Sequence, residues 1–174
     1  MSVAVGGLGI VSALGIGLRE NLEALKAGRS GIKASPVLLE TRHRLPVGEL
    51  TVTNGELGQL LQLPSVERIS RTALLGAVAV KEALESSGLR IGEDLKADRI
   101  GLINATSVGG MDLSEEFWKN RAMEGADCSC LSVHDPGAST ISILANAPDT
   151  ADAAAFWKGV TSSCLLYTSD AADE

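Results

Sequence analysis

The sequence predicts an α/β fold: two apolar stretches with strand character each run toward a helical segment, and a strongly apolar helix lies between them. Residues 2–11 alternate Val3, Val5, Leu8, Ile10 and Val11 with Gly6, Gly7 and Gly9, the pattern of a buried strand entering a tight turn. Residues 70–87 repeat Ala73, Ala77, Val80 and Leu84 at helical spacing, and Leu74, Leu75 and Val78 widen the apolar face until most of the first half is core. Residues 100–105 are short and mostly apolar behind the charged residues 96–99, as expected of a strand covered on both faces. Strand followed by helix gives the layered arrangement of an α/β domain.

The remaining elements follow in order. A first helix over residues 18–27 places Leu18, Leu22 and Leu25 on one face and stops at Gly28, a residue that ends helices without steric cost. Residues 33–54 carry Pro36, Pro46, the Arg42-His43-Arg44 cluster and the alternating run 47–52, which read as loops with a small hairpin, and Asn54-Gly55 marks a turn. In the helix at 70–87, Lys81, Glu82 and Glu85 are expected to face water, and Gly88 ends it. The strand at 100–105 ends in Thr106-Ser107-Val108-Gly109-Gly110, and in α/β sheets ligands sit at that end of a strand. An acidic-aromatic helix begins near Asp112 with Glu115, Glu116, Phe117 and Trp118. Residues 120–140 are loop-rich, 140–147 are helical, and a polar-alanine run occupies 149–155. Phe117-Trp118-Lys119 and Phe156-Trp157-Lys158 echo one another in isolation and do not make a repeat.

Composition narrows the function classes. With 174 residues, 45% of them hydrophobic, the chain can bury a sizeable core. A formal charge of −7 without clustered Lys and Arg argues against nucleic acid as a partner. The N-terminal residues lack a cationic leader followed by an apolar run, and no stretch reaches bilayer-spanning length, so a cytoplasmic protein without a membrane partner is expected. The three cysteines, Cys128, Cys130 and Cys164, are too few for a disulfide framework and lack metal-ligand spacing; neither metal nor organic cofactor is expected. Gly6-Gly7-Leu8-Gly9 resembles a phosphate-binding turn only superficially, because Ser12 stands where the third small residue of a dinucleotide fingerprint belongs. A nucleotide-binding α/β domain is therefore the distant alternative.

Several motifs are more specific when taken together. Gly7-Leu8-Gly9-Ile10-Val11-Ser12-Ala13-Leu14-Gly15 is followed by Ala27-Gly28-Arg29-Ser30-Gly31-Ile32, the helix opening Ser70-Arg71-Thr72-Ala73-Leu74-Leu75-Gly76, Arg99 through Gly110, His134-Asp135-Pro136-Gly137 and Gly159-Val160-Thr161-Ser162-Ser163. In this order and spacing, over nearly all of residues 2–163, they resemble the N-terminal half of the β-ketoacyl-[acyl-carrier-protein] synthases, condensing enzymes of the thiolase-like fold. Residues 111–158 fit least well, and residues 149–155 depart from the pattern usual after the His-Asp-x-Gly element.

The resemblance implies an incomplete thiolase-like fold, an N-terminal lobe with a mixed sheet covered by helices. It also implies decarboxylative condensation of malonyl carrier protein with an acyl thioester in fatty-acid or polyene biosynthesis. The implied partners are acyl carrier protein, acyl and malonyl thioesters and a second subunit in a homodimer or heterodimer. Val108, before the paired glycines Gly109 and Gly110, would line the acyl-chain pocket, and Arg68 and Arg71 at the start of the apolar helix would meet the acidic carrier protein. The family's catalytic residues are a Cys, two His and a Lys; the histidines and lysine come from its C-terminal half, and neither His43 nor His134 matches their positions. The nucleophile is expected just after Ser163 behind an Ala, so Cys164 sits one position early. Residues 164–174 back-translate to a transposase adapter used in preparing sequencing libraries and are expected to be an artefactual tail on a truncated, inactive chain. The rival within the same fold is a non-catalytic partner subunit of the chain-length-factor type.

Overall fold

In the computed structural model, the residues described are 2–39, 45–90, 93–94, 96, 99–106, 109–121, 140, 142–145 and 155. The chain opens with a hairpin of two short antiparallel strands, β1 (Val11–Ser12) and β2 (Gly15–Ile16), followed by helix α1 (Leu18–Lys26). A second two-stranded antiparallel ribbon pairs β3 (Ile32–Lys33) with β4 (Val47–Gly48). Three further helices are α2 (Asn54–Leu60), α3 (Arg71–Ser87) and α4 (Met111–Arg121). Helices and small sheets are thus both present, whereas the mixed sheet expected from the sequence is not formed among the described residues.

Helix α3 organises the rest. Ser70 caps its N-terminus by accepting the Ala73 N–H (3.2 Å), and Gly88 closes it in the left-handed region at φ 66°. Its inner face, Ala73, Leu74, Ala77 and Val78, packs with Leu57 and Leu61 from α2 and its C-terminal end, and with Ile143, Leu144 and Ala145, into one buried cluster. Residues 140 and 142–145 are helical, in line with the helix expected over 140–147.

Residues 2–10 correct the first strand. They form no regular strand, and Val3 is 97% exposed. Their backbone is instead engaged by side chains of α3: the Leu8 N–H donates to Ser86 Oγ (2.9 Å) and the Ile10 N–H to Glu82 Oε2 (2.8 Å). Gly7 and Gly9 lie so close to the α3 backbone at Ala83 and Ala79 that neither has room for a Cβ. Glu82, expected to face water, therefore faces the turn after β2, where its Oε1 also accepts the Leu18 N–H. In this way α3 supplies the cap that Gly17, at the N-terminus of α1, cannot.

Helix α1 ends as expected, with Gly28 at φ 63°, but it buries a different face. Asn21 and Ala24 are its buried residues, while Leu22 and Leu25 are exposed. Asn21 decides this orientation: its Nδ2 donates to the carbonyls of Gly15 (3.0 Å) and Gly17 (2.8 Å), and its Oδ1 accepts from Ser12 Oγ. Knitting up the hairpin backbone outweighs the leucine stripe, because part-buried carbonyls left unmatched are costly.

Asn54-Gly55, expected as a turn, opens α2. Thr53 and Glu56 form a reciprocal capping box: Thr53 Oγ1 accepts the Glu56 N–H (3.2 Å) and Glu56 Oε2 accepts the Thr53 N–H (2.7 Å). Residues 100–105, expected as a strand, pair with no other strand among the described residues. They keep a two-residue alternation at their start, with Ile100 and Leu102 packed against the core and Ile103 97% exposed.

Candidate functional site around the N-terminus of α3

Of the sequence-derived candidates, Arg68 and Arg71 lie at the start of α3, and Gly109 and Gly110 at the start of α4. Gly110 is buried, lies at φ 76° and offers its carbonyl to the Ser114 N–H (3.2 Å), so it forms the entry to α4. The left-handed conformation favours glycine there. Gly109 beside it is half-buried. Val108, the proposed wall of an acyl pocket, lies outside the described residues.

Asp112 stands in the first turn of α4, where a carboxylate interacts favourably with the helix N-terminus. The same carboxylate accepts the backbone N–H of Arg71 through Oδ2 (2.6 Å). That N–H is the first of α3, one of the donors a helix cannot satisfy from within. Asp112 thus joins the two helix starts, a contact that no local sequence pattern announces. Its only sequence signal is an acidic residue in a first turn.

The side chain of Arg71 is directed inward. Its guanidinium donates to Asn54 Oδ1 (2.9 Å) and to the carbonyls of Leu50 and Val52 (2.8 Å each). Arg71, one of the two arginines expected to meet the carrier protein, ties residues 50–54 to the α3 N-terminus through these bonds. Arg68 is exposed and sits in the left-handed region at φ 61°, a conformation uncommon for a residue other than glycine. Thr140 completes the cluster from the other side, donating from Oγ1 to the Ala73 carbonyl (3.4 Å).

Two carboxylates nearby in sequence are held by backbone amides. The Val37 N–H, followed by those of Leu38 and Leu39, holds the Glu49 carboxyl below its ordinary value. The Thr53 N–H and hydroxyl do the same for Glu56.

The glycine run 6–9 has no phosphate-binding geometry. Gly7 and Gly9 pack on α3, and the first amide of α1 is already taken by Glu82. This argues against the nucleotide-binding alternative. A cleft of about 340 Å³ is lined by Ile16, Leu60, Leu61 and Val78 with Lys81, Glu82 and Glu85 at its sides, and among the described residues no cysteine, serine or histidine lines it. Among the described residues no His, Cys, Asp and Glu cluster suits a metal ion, and no helix is long and apolar enough to cross a membrane. His43, Cys128, Cys130, His134, Ser163 and Cys164 lie outside the described residues, as does the tail 164–174.

Comparison with known proteins decides the family. Residues 1–155 match the family model described as the β-ketoacyl synthase N-terminal domain. The chain belongs to the β-ketoacyl synthase family. Among curated proteins it is similar to the 3-oxoacyl-[acyl-carrier-protein] synthase 2 of Coxiella burnetii (strain RSA 493 / Nine Mile phase I), with 30% identity over 115 residues that make up 66% of this chain. The match spans 27% of that β-ketoacyl synthase's own length. No solved structure matches significantly. Membership implies the thiolase-like fold for this N-terminal domain and a condensing-enzyme ancestry for its chemistry.

Proposed function

We propose that the chain is the N-terminal part of a 3-oxoacyl-[acyl-carrier-protein] synthase acting in fatty-acid or polyene biosynthesis. The observation that carries this reading is the match to the β-ketoacyl synthase N-terminal domain across residues 1–155, with the relative named a 3-oxoacyl-[acyl-carrier-protein] synthase in support. In the proposed reaction a cysteine thiolate, expected just after Ser163, takes the acyl group from its thioester and releases the donor thiol. Malonyl carrier protein then loses carbon dioxide; the carbanion left behind attacks the acyl carbonyl, the cysteine thiolate departs, and 3-oxoacyl carrier protein is released. The step needs an activated nucleophile and donors to the developing oxyanion. In this reading, Val108 borders the acyl chain, and Gly109 and Gly110 permit the close backbone approach that a bulkier residue would block. The protein works in the cytoplasm as a homodimer or heterodimer. The 174-residue chain by itself does not condense, because the family's catalytic histidines and lysine belong to its C-terminal half.

The test compares the 174-residue chain with the protein encoded by the uninterrupted gene, assaying malonyl-dependent condensation on acyl carrier protein. Activity in the longer protein and none in the shorter is the expected result. Activity in the 174-residue chain would overturn the proposed division of the site and bring Cys164 forward as nucleophile. A longer protein that fails alone, lacks a cysteine after Ser163 and activates a second subunit would be a non-catalytic partner of the chain-length-factor type.

A further inference from the structure

We infer that Asp112 is a positioning residue that sets the Gly109–Gly110 turn from the N-terminus of α3. The inference rests on the proposed condensing function for its consequence, substrate selection, but the linkage itself is structural. Gly110 is buried with φ 76° and leads into α4, so the placement of this turn follows the placement of the first turn of α4. That first turn carries Asp112, whose Oδ2 accepts the Arg71 N–H at 2.6 Å. Arg71 is in turn fixed by three hydrogen bonds from its guanidinium to residues 50–54. One carboxylate therefore lies between the starts of two helices, each of which favours negative charge at that end.

The chemistry explains why the link is stiff. The Arg71 N–H has no acceptor within α3, so loss of Asp112 leaves it unmatched rather than exchanged for an intrahelical bond. An ionised acceptor makes a shorter and stronger bond than a neutral one. A turn containing two glycines has little stiffness of its own, and its position is then dictated by what anchors the residues after it. An acyl chain passing beside Gly109 and Gly110 meets a wall whose position depends on Asp112, although Asp112 need not touch the chain.

The test uses the protein from the uninterrupted gene with Asp112→Ala and Asp112→Asn. Residue-resolved amide exchange reads the link, and acyl chain-length preference with separate kcat and KM values reads its consequence. In Asp112→Ala, exchange at the Arg71 amide should rise at least about tenfold, as loss of a hydrogen bond to a charged group implies, and exchange at Ser114, whose amide donates to the Gly110 carbonyl, should rise with it. The acyl-donor KM should increase more than kcat falls, and the chain-length profile should broaden. Asp112→Asn, which retains an oxygen acceptor, should restore most of the protection and the narrower profile. Unchanged exchange at Arg71 in Asp112→Ala would overturn the link. Raised exchange with an unchanged chain-length profile would overturn the positioning role. A wild-type protein that does not condense would defeat the proposed function instead, and the exchange measurement would still decide the link.

Discussion

Thr140 rests directly on Gly76: its Oγ1 lies 3.1 Å from the point where a Cβ on Gly76 would stand, while the same hydroxyl donates to the Ala73 carbonyl at 3.4 Å. Thr140 is only 4% exposed and cannot swing into solvent. A mid-helix glycine normally costs about 1 kcal/mol relative to alanine, and here the missing methyl allows residues 140 and 142–145 to pack on α3.

Gly76→Ala is therefore expected to destabilise despite its better helix propensity. Overpacking costs about 1–3 kcal/mol, which outweighs the propensity gain and leaves a net loss of about 1 kcal/mol. Thr140→Ala alone should also destabilise by removing a buried hydroxyl and its hydrogen bond. The double substitution should cost less than the sum of the two. Urea unfolding of all four proteins gives the coupling energy; strict additivity would mean that the two residues do not press on one another.

Arg71→Lys should lose about 2 kcal/mol even though the charge is kept. The guanidinium spans Asn54 Oδ1 and the carbonyls of Leu50 and Val52, and a single ammonium cannot reach all three in a planar fork. Carbonyls left without a donor cost about 1–3 kcal/mol. The denaturation midpoint should fall at an unchanged slope, the sign of altered stability rather than altered compactness. A midpoint equal to the wild type would show that Arg71 does not anchor residues 50–54.

Glu49 and Glu56 should mark an acid-sensitive surface. Both carboxyls are held below the ordinary 4.5 by hydrogen bonds that only the ionised form fully accepts, from Val37 first for Glu49 and from the Thr53 N–H first for Glu56. Because the folded values are depressed, the stabilisation is complete above the ordinary value and is lost as pH falls through the lower folded one. Amide signals of residues 37–39 and of Thr53 should therefore shift together as each carboxylate is protonated, below pH 4.5. Glu49→Gln should abolish the first transition and leave the second. Titration of either carboxylate at its ordinary value would contradict these contacts.

How much of this arrangement the sequence discloses depends on where the deciding interactions lie. Helix α3 is legible because apolar spacing, Ser70 and Gly88 are local signals, and its boundaries agree with that reading; the acidic start of α4 near Asp112 is local too. The Thr53-x-x-Glu56 box is equally local, but the Asn54-Gly55 pair inside it also carries a turn signal. The buried face of α1 and the inward turn of Arg71 are not local. They depend on carbonyls 4 to 21 residues away in sequence, those of Gly17 and Leu50 among them, whose need for donors no hydrophobic periodicity records. The same limit applies to the site: the paired glycines are visible from their motif, whereas the Asp112 contact to Arg71 spans 41 residues and is visible only once the two helices are placed.

Glu82 supplies the last test, since it joins the N-terminal segment to α3 through both oxygens. Oε2 accepts the Ile10 N–H at 2.8 Å and Oε1 accepts the Leu18 N–H, the first amide of α1. Glu82→Ala removes both acceptors from a half-buried position, and a hydrogen bond to a charged group contributes about 1.5–3 kcal/mol. Because the site is partly open to solvent, a loss of about 2 kcal/mol is expected for the pair. Glu82→Gln keeps a single oxygen and should protect one amide and release the other. Exchange at Ile10 and Leu18 should rise together in Glu82→Ala, while the Ser70-capped Ala73 amide at the far end of α3 stays as in the wild type. If Leu18 remained protected, α1 would be capped by another group, and residues 2–10 would be held on α3 by the Leu8–Ser86 hydrogen bonds and the close packing of Gly7 and Gly9 without Glu82.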